Sequence, residues 1–298
     1  MKSHEYISPL LWFLLSNFGV CLLLSLNLLL FGLSDSLAEQ GWGFGRIWLA
    51  ILSLSSLGAV VLIFGSKMII RYYLGARIIG DATDTKLQQL KIIIAQQATS
   101  SGLRTPELAV YDSQEMNAFA VGAGRMDSML VVSQPLLDAL TLDELSAVIG
   151  HEMTHVSNGD MLTLSLMQGV VNMFVHVPAR LLGMGLDKLF FRHSHFTPIY
   201  KIISLVLQLS LGGIASLVVM WFSRHREFKA DAGGAVLAGY PEMLAALRCL
   251  QAGRGSRPGI HPFTVFGLNT PLPNSGFWRF FTSHPSLTER ISALNKAR

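Results

Sequence analysis

Charge is scarce in this chain, cysteine almost missing, and a nucleotide-binding loop absent. Asp, Glu, Lys and Arg make up 14% of its 298 residues and hydrophobic residues 51%, whereas an ordinary soluble domain is about a quarter charged. So little charge excludes a purely water-soluble fold and points to membrane contact. The two cysteines, Cys21 in an apolar run and Cys249 in a late helical stretch, support neither a disulfide framework nor a thiolate metal site. No G-x-x-x-x-G-K-[ST] stretch occurs, so the chain does not bring its own nucleotide motor. No internal repeat or low-complexity tract appears either. The formal net charge of +4 gathers beside the apolar runs and reads as topology and lipid contact, with no nucleic-acid partner.

What is present begins with four uncharged runs, 6–34, 47–66, 161–179 and 202–223. Each reaches the roughly 18–20 residues needed to cross a hydrocarbon core of about 30 Å. Lys67, Arg71, Arg77 and Lys86 follow the second run, while Asp35, Glu39 and only Arg46 separate it from the first. Positive charge prefers the cytoplasm, which puts the N-terminus and the segment after residue 66 there. The third run carries Gln168, Asn172 and His176 at i, i+4 and i+8 and also Pro178. Arg180, Lys188, Arg192 and Lys201 follow it, so a hairpin entering the bilayer only part-way is the alternative to two full crossings. The residues "SLA" at 36–38 resemble a leader cleavage site, but the apolar run before them is too long for a signal peptide.

The polar remainder, 67–160 and 224–298, is expected to fold together. "DTKLQQLKIIIAQQATSSGL" predicts a helix over 84–100, and "ELAVYDS", "NAFAVG" and "SMLVVS" predict short strands of a small sheet. In "TLDELSAVIGHEMTHVSNGD", Thr141 and Glu144 fit a capping box and Asn158-Gly159 a stop, which predicts a helix over 142–157. "PEMLAALRCLQA" and "PSLTERISALNKA" read as helices, and "SRPGIHPFTVFGLNTPLPNSG" as a Pro/Gly-rich loop. The fold class is therefore a mainly α membrane protein: about four transmembrane helices plus a cytoplasmic α+β domain with a small sheet. Its parts are a transmembrane hairpin (1–66), the first catalytic segment (67–160), a second transmembrane or membrane-embedded hairpin (161–223) and the second catalytic segment (224–298).

The chemistry lies in "HEMTH", residues 151–155. Side chains four apart share a helix face, so His151 and His155 can hold one metal ion with Glu152 beside it. A catalytic zinc takes three protein ligands and leaves one position open. "SRHREFKAD", directly after the fourth apolar run, offers the third: Glu227 completes a His2Glu set, and Asp231, four residues on, can accept a hydrogen bond from a ligating imidazole. The plain alternative is a solvated charge run at a membrane boundary. Parity favours the ligand, because two crossings or none between residues 160 and 224 return Glu227 to the side of the histidines.

Taken together, "HEMTH", "SRHREFKAD", the upstream "NAFAVG" and the late "SHPSLTERI" resemble the HtpX-type membrane zinc metalloproteases, gluzincins related to the CAAX prenyl endopeptidases. The resemblance covers nearly the whole chain and implies that the cytoplasmic α+β domain is a zincin-like catalytic domain. It implies two further site residues: Asn117, near the substrate peptide, and His284, near the reacting carbonyl. A strand-end residue and a histidine opening a helix are their ordinary readings. Arg290 is expected to tie the terminal helix to the core, and His176, His193, His195, His225 and His261 receive no role. The expected reaction is peptide hydrolysis with one zinc ion per subunit, Glu152 moving the proton and His284 donating to the oxyanion. The substrate is expected to lie along an exposed edge strand, "NAFAVG" or "SMLVVS". The resemblance also implies a bacterial inner-membrane location with the catalytic domain in the cytoplasm. Its implied partners are the lipid bilayer, unfolded or damaged membrane proteins as substrates, and other membrane quality-control proteases. Competing readings are a membrane zinc protein with a structural or partner-binding role, and a narrow prenyl-protein peptidase.

Overall fold

The computed structural model describes residues 65–80, 84–191, 198–253 and 284–297, together with 46, 49 and 53; within 161–191 the side chains are described at only some positions. Two compact units divide the chain, one of Met1–Val61 with Thr163–Val219, the other of Leu62–Leu162 with Met220–Arg298.

The second unit is built on a four-stranded sheet. Glu107–Tyr111 (β2), Ala118–Gly124 (β3) and Asp127–Ser133 (β4) form where the sequence is rich in apolar residues, and Arg77–Ile78 (β1) adds a two-residue strand absent from the sequence reading. The order is β1-β2-β4-β3, with β2 parallel to β4 and the other pairs antiparallel. β4 is thus enclosed on both sides, which rules out "SMLVVS" as the exposed edge; of the two candidates β3 is the one at an edge. Its hairpin with β4 turns through a register shift between Gly122 and Gly124. Gly122 sits at φ +131°, and a Cβ there would strike the Asp127 carbonyl, so only glycine suits the position.

Both faces of the sheet are covered, which explains why its strands read as nearly continuous apolar runs. Leu108, Val110, Ala118, Leu130 and Val132 face the larger core. Ala109, Tyr111, Phe119, Met129 and Val131 alternate to the other side, where Ile70 and Ala76 pack on them. The larger core is completed by Thr85–Ser100 (α1), Gln134–Ala139 (α2) and Leu142–Asn158 (α3), with contributions from Tyr240–Gly253 and Leu287–Ala297. α1 starts where Asp84 accepts from the Lys86 N–H. α3 carries the foreseen capping box of Thr141 and Glu144 and ends on Gly159 at φ 69°.

Two long helices contribute to both units, Asp160–Phe191 (α4) and Pro198–Ala238 (α5); Tyr240–Gly253 (α6) and Leu287–Ala297 (α7) follow. Of the four expected spans, the described residues show one. Among the described residues one helix, Ile202–Ala238, is long and apolar enough to cross a membrane, by length and composition. The run 6–34 lies outside the described residues, as does almost all of 47–66. The run 161–179 lies within α4, where only some of the side chains are described. Ile202, Leu205, Val206, Leu209, Ile214 and Val218 of α5 are exposed, as lipid-facing residues would be. Ser210 and Ser216 return their hydroxyls to the carbonyls of Val206 and Gly212, satisfying polar groups within the helix. The loop "SRPGIHPFTVFGLNTPLPNSG" lies outside the described residues.

Candidate metal centre

α3 presents His151 and His155 on one face because they are four residues apart. α5 reaches them by crossing α3 at glycine. A Cβ on Gly234 would come within 2.9 Å of the His151 nitrogen and 3.1 Å of the Ala147 carbonyl oxygen, and one on Gly150 within 3.1 Å of the Gly234 Cα. The backbones therefore touch, and Glu227, two turns earlier on α5, meets both imidazoles. Gly234→Ala is expected to push the helices apart, at a cost of about 1–3 kcal/mol typical of overpacking. Thermal denaturation of the purified protein checks this; an unchanged melting point would mean that the crossing tolerates a methyl group.

His151 Nε2 lies 3.2 Å from His155 Nε2. Glu227 places Oε1 3.3 Å from His155 Nε2 and Oε2 3.6 Å from His151 Nε2. The imidazole planes stand 88° apart. Tetrahedral zinc, with bonds of roughly 2.0–2.2 Å, separates its ligands by about 3.3–3.5 Å, so these three edges suit such an ion. Glu227 is 1% exposed, and neither of its carboxylate oxygens makes an aligned hydrogen bond. Burying a carboxylate in that condition is costly unless something else engages its lone pairs. The two imidazoles and one carboxylate, with ligand atoms within 4.8 Å of one another, form a group that can hold a metal ion.

A carboxylate stands behind each imidazole. Asp231 Oδ1 accepts from His151 Nδ1 at 2.9 Å, and Asp160 Oδ2 accepts from His155 Nδ1 at 2.7 Å. Arg290 grips Asp231 with a fork, Nε to Oδ2 at 2.8 Å and Nη2 to Oδ1, and its Nη1 lies 3.7 Å from Glu227 Oε2. Glu152 is 6% exposed and accepts a backbone hydrogen bond from Ala120 of β3. His284 lies at the site, its Nδ1 2.9 Å from Glu227 Oε2 but not aligned as a hydrogen bond. Asn117 stands at the start of β3: its N–H donates to Ser133 Oγ, its carbonyl accepts from the Ser133 N–H, and its side chain bonds Tyr111. The structure thus gathers His151, Glu152, His155, Asp231 and His284 around the Glu227 carboxylate or the histidines facing it.

Burial governs the acid–base state of the group. It pushes the Glu152 carboxyl up to about 7, with His155 opposing and Glu227 reinforcing. It pushes the His151 imidazole down, against the bond to Asp231 and with the help of Arg290. At His155 burial would also lower the value, but the bond to Asp160 and the nearby Glu227 carboxylate outweigh it and raise the imidazole to about 10. Metal coordination at His155 Nε2 requires loss of that proton. The Arg290 guanidinium resists the downward pull of burial because Asp231 faces it, and its value is raised.

Two residues of the cluster carry roles the sequence reading missed. Leu287, Arg290 and Leu294 share the buried face of α7; a cation inside an apolar stripe is the signal that Arg290 meets a buried acid. Asp160 follows the left-handed turn at Gly159, which reverses the chain onto the last turn of α3. Only that turn geometry, and no residue spacing, brings it to His155.

Residues 84–298 match the family described as Peptidase family M48. Over 288 residues, 96% of this chain and 98% of the other, the sequence is 39% identical to "Protease HtpX homolog" of Nitrosomonas eutropha. It is 40% identical over 293 residues to "Protease HtpX" of Alkalilimnicola ehrlichii, covering 96% and 97%. The fold is similar to the crystal structure of S. mikatae Ste24p, with a TM-score of 0.60 and 19% identity over 91% of this chain and 64% of that one.

Proposed function

This chain belongs to peptidase family M48, and from that premise we propose that it is a zinc-dependent endopeptidase of the bacterial inner membrane, cutting unfolded cytoplasmic segments of damaged membrane proteins. The observation that carries the reading is the convergence of His151, His155 and Glu227, with the buried Glu152 carboxyl beside them.

His151, His155 and Glu227 would hold one zinc ion per chain. When bound, zinc supplies a Lewis acid that acidifies water and polarises a carbonyl. Glu152, out of bulk water and with its pKa raised to about 7, takes the proton from the attacking water and delivers it to the leaving amine. His284, beside Glu227, is the donor to the oxyanion. The edge of β3 accepts an extended peptide by backbone pairing, which is tolerant of side-chain sequence. Ala120 ties that strand directly to Glu152, so a peptide paired with β3 lies next to the proton carrier. Asn117 serves the same end by fixing the start of β3 against β4. The exposed apolar face of α5 anchors the chain in the bilayer, and the positive charges after residue 66 favour a cytoplasmic catalytic unit.

Chelation is the direct test. Metal-free protein is expected to leave an unfolded polypeptide uncut, and one equivalent of zinc to restore cleavage, followed by gel electrophoresis with metal content measured on the same samples. Cleavage that persists after the metal has been shown to be gone would defeat the proposal.

A further inference from the structure

We propose that Asp160 is a positioning residue of the metal centre, holding the His155 imidazole in the tautomer that ligation needs and coupling it to the helix that carries Glu227. The inference rests on the zinc reading above. Asp160 is the first residue of α4, where an acid is favoured simply by the helix dipole. That explanation asks only for a solvated side chain, and Asp160 is 8% exposed. Its Oδ2 is instead committed to His155 Nδ1 at 2.7 Å.

That bond settles which nitrogen of His155 carries a hydrogen. With Nδ1–H donated to the carboxylate, the Nε2 lone pair is the one directed at a metal, and Nε2 is the atom lying 3.3 Å from Glu227 and 3.2 Å from His151. A second bond extends the effect. Arg226, the neighbour of Glu227 in sequence, donates from Nη1 to the Asp160 carbonyl oxygen at 2.9 Å. One residue therefore touches the second imidazole with its side chain and the Glu227 segment with its main chain. The arrangement parallels the other imidazole, where Asp231 backs His151 and Arg290 holds Asp231. A chain that supports each ligating imidazole from a different helix resists a twist of either one. Gly159 makes this possible, since its φ of 69° turns residue 160 back toward the last turn of α3.

The test measures zinc binding rather than turnover, on the full-length chain in detergent, with Glu152→Gln throughout so that it cannot digest itself. Competition with a chromophoric chelator gives the zinc dissociation constant. Asp160→Ala is expected to bind zinc about 10- to 100-fold more weakly. Asp160→Asn, which keeps an acceptor oxygen for Nδ1–H, is expected to lie closer to the parent than to the alanine variant. Cobalt substitution supplies a signature that mere loss of stability would not move: the visible absorption envelope should change in Asp160→Ala and return in Asp160→Asn. Should the alanine variant not fold, the asparagine variant decides, since a parent-like cobalt spectrum supports the proposal and an altered one overturns it. Parent-like zinc affinity and cobalt spectrum in Asp160→Ala, or no rescue by asparagine, also overturn it. Failure of the parent itself to bind zinc would instead remove the reading on which the inference stands.

Discussion

Replacing Glu152 by Gln is expected to lower the rate of peptide cleavage by about 10²- to 10⁴-fold, the usual range for removing a positioned general acid–base, while the zinc content stays at that of the wild-type protein. The two halves of the expectation have separate causes. Glutamine keeps the shape of the side chain and its acceptor oxygen toward the Ala120 backbone, so β3 and α3 keep their contact. It cannot take a proton, so the step that activates water and frees the amine loses its carrier. Glu152 is not among the three residues whose ligand atoms converge, and zinc should stay bound. Measuring kcat and bound metal on the same preparation checks both. A variant that cleaves at the wild-type rate would take the proton-carrying role away from Glu152.

Arg290→Met carries the second large effect, this time on the integrity of the site. Arg290 is 1% exposed and Asp231 2%, so methionine would leave a buried carboxylate without the fork that neutralises it. Removing one partner of a buried ion pair costs roughly 3–5 kcal/mol, because the other charge stays behind uncompensated. The same change frees Asp231 from its anchor on α7, loosens its bond to His151 Nδ1 and takes away a positive charge lying 3.7 Å from Glu227. A lower melting temperature together with weaker zinc retention is the expected result. Adding Asp231→Asn to Arg290→Met should recover part of the stability, since no buried charge remains, without recovering the metal affinity. If Arg290→Met melts with the wild type, the guanidinium is not what holds α7 against α5.

These two residues also mark how much was legible in the chain beforehand. Glu152 stood out because H-E-x-x-H on a capped helix is a local pattern, and α3 begins at Thr141 and stops at Gly159 through contacts within a few residues. The same locality made α1, the three longer strands and α7 readable from periodicity and turn residues. Arg290 was assigned only to tie the terminal helix to the core, because nothing in "SLTERISAL" names the acid it meets 59 residues away on α5. Asp160 escaped notice for the opposite reason: it lies close to His155 in sequence, but its approach depends on one left-handed residue. The edge strand stayed ambiguous because "NAFAVG" and "SMLVVS" are equally apolar, and only pairing with β2 encloses β4. Of the membrane crossings, absence of charge marked out the run 202–223, which lies in the one helix among the described residues that is long and apolar enough to cross.

By itself the sequence determined the elements, their ends, the pair of imidazoles on one helix face and the need for a distant third ligand. These follow from side-chain period and backbone capping, which act over a turn or two. Tertiary structure alone decided that glycine crossings bring α5 against α3, that Arg290 and Asp160 stand behind the ligands, and that β3 is the open edge beside Glu152. Such choices depend on which faces pack together across long stretches of chain, and the energy that selects them is shared among many buried contacts rather than written in any one spacing.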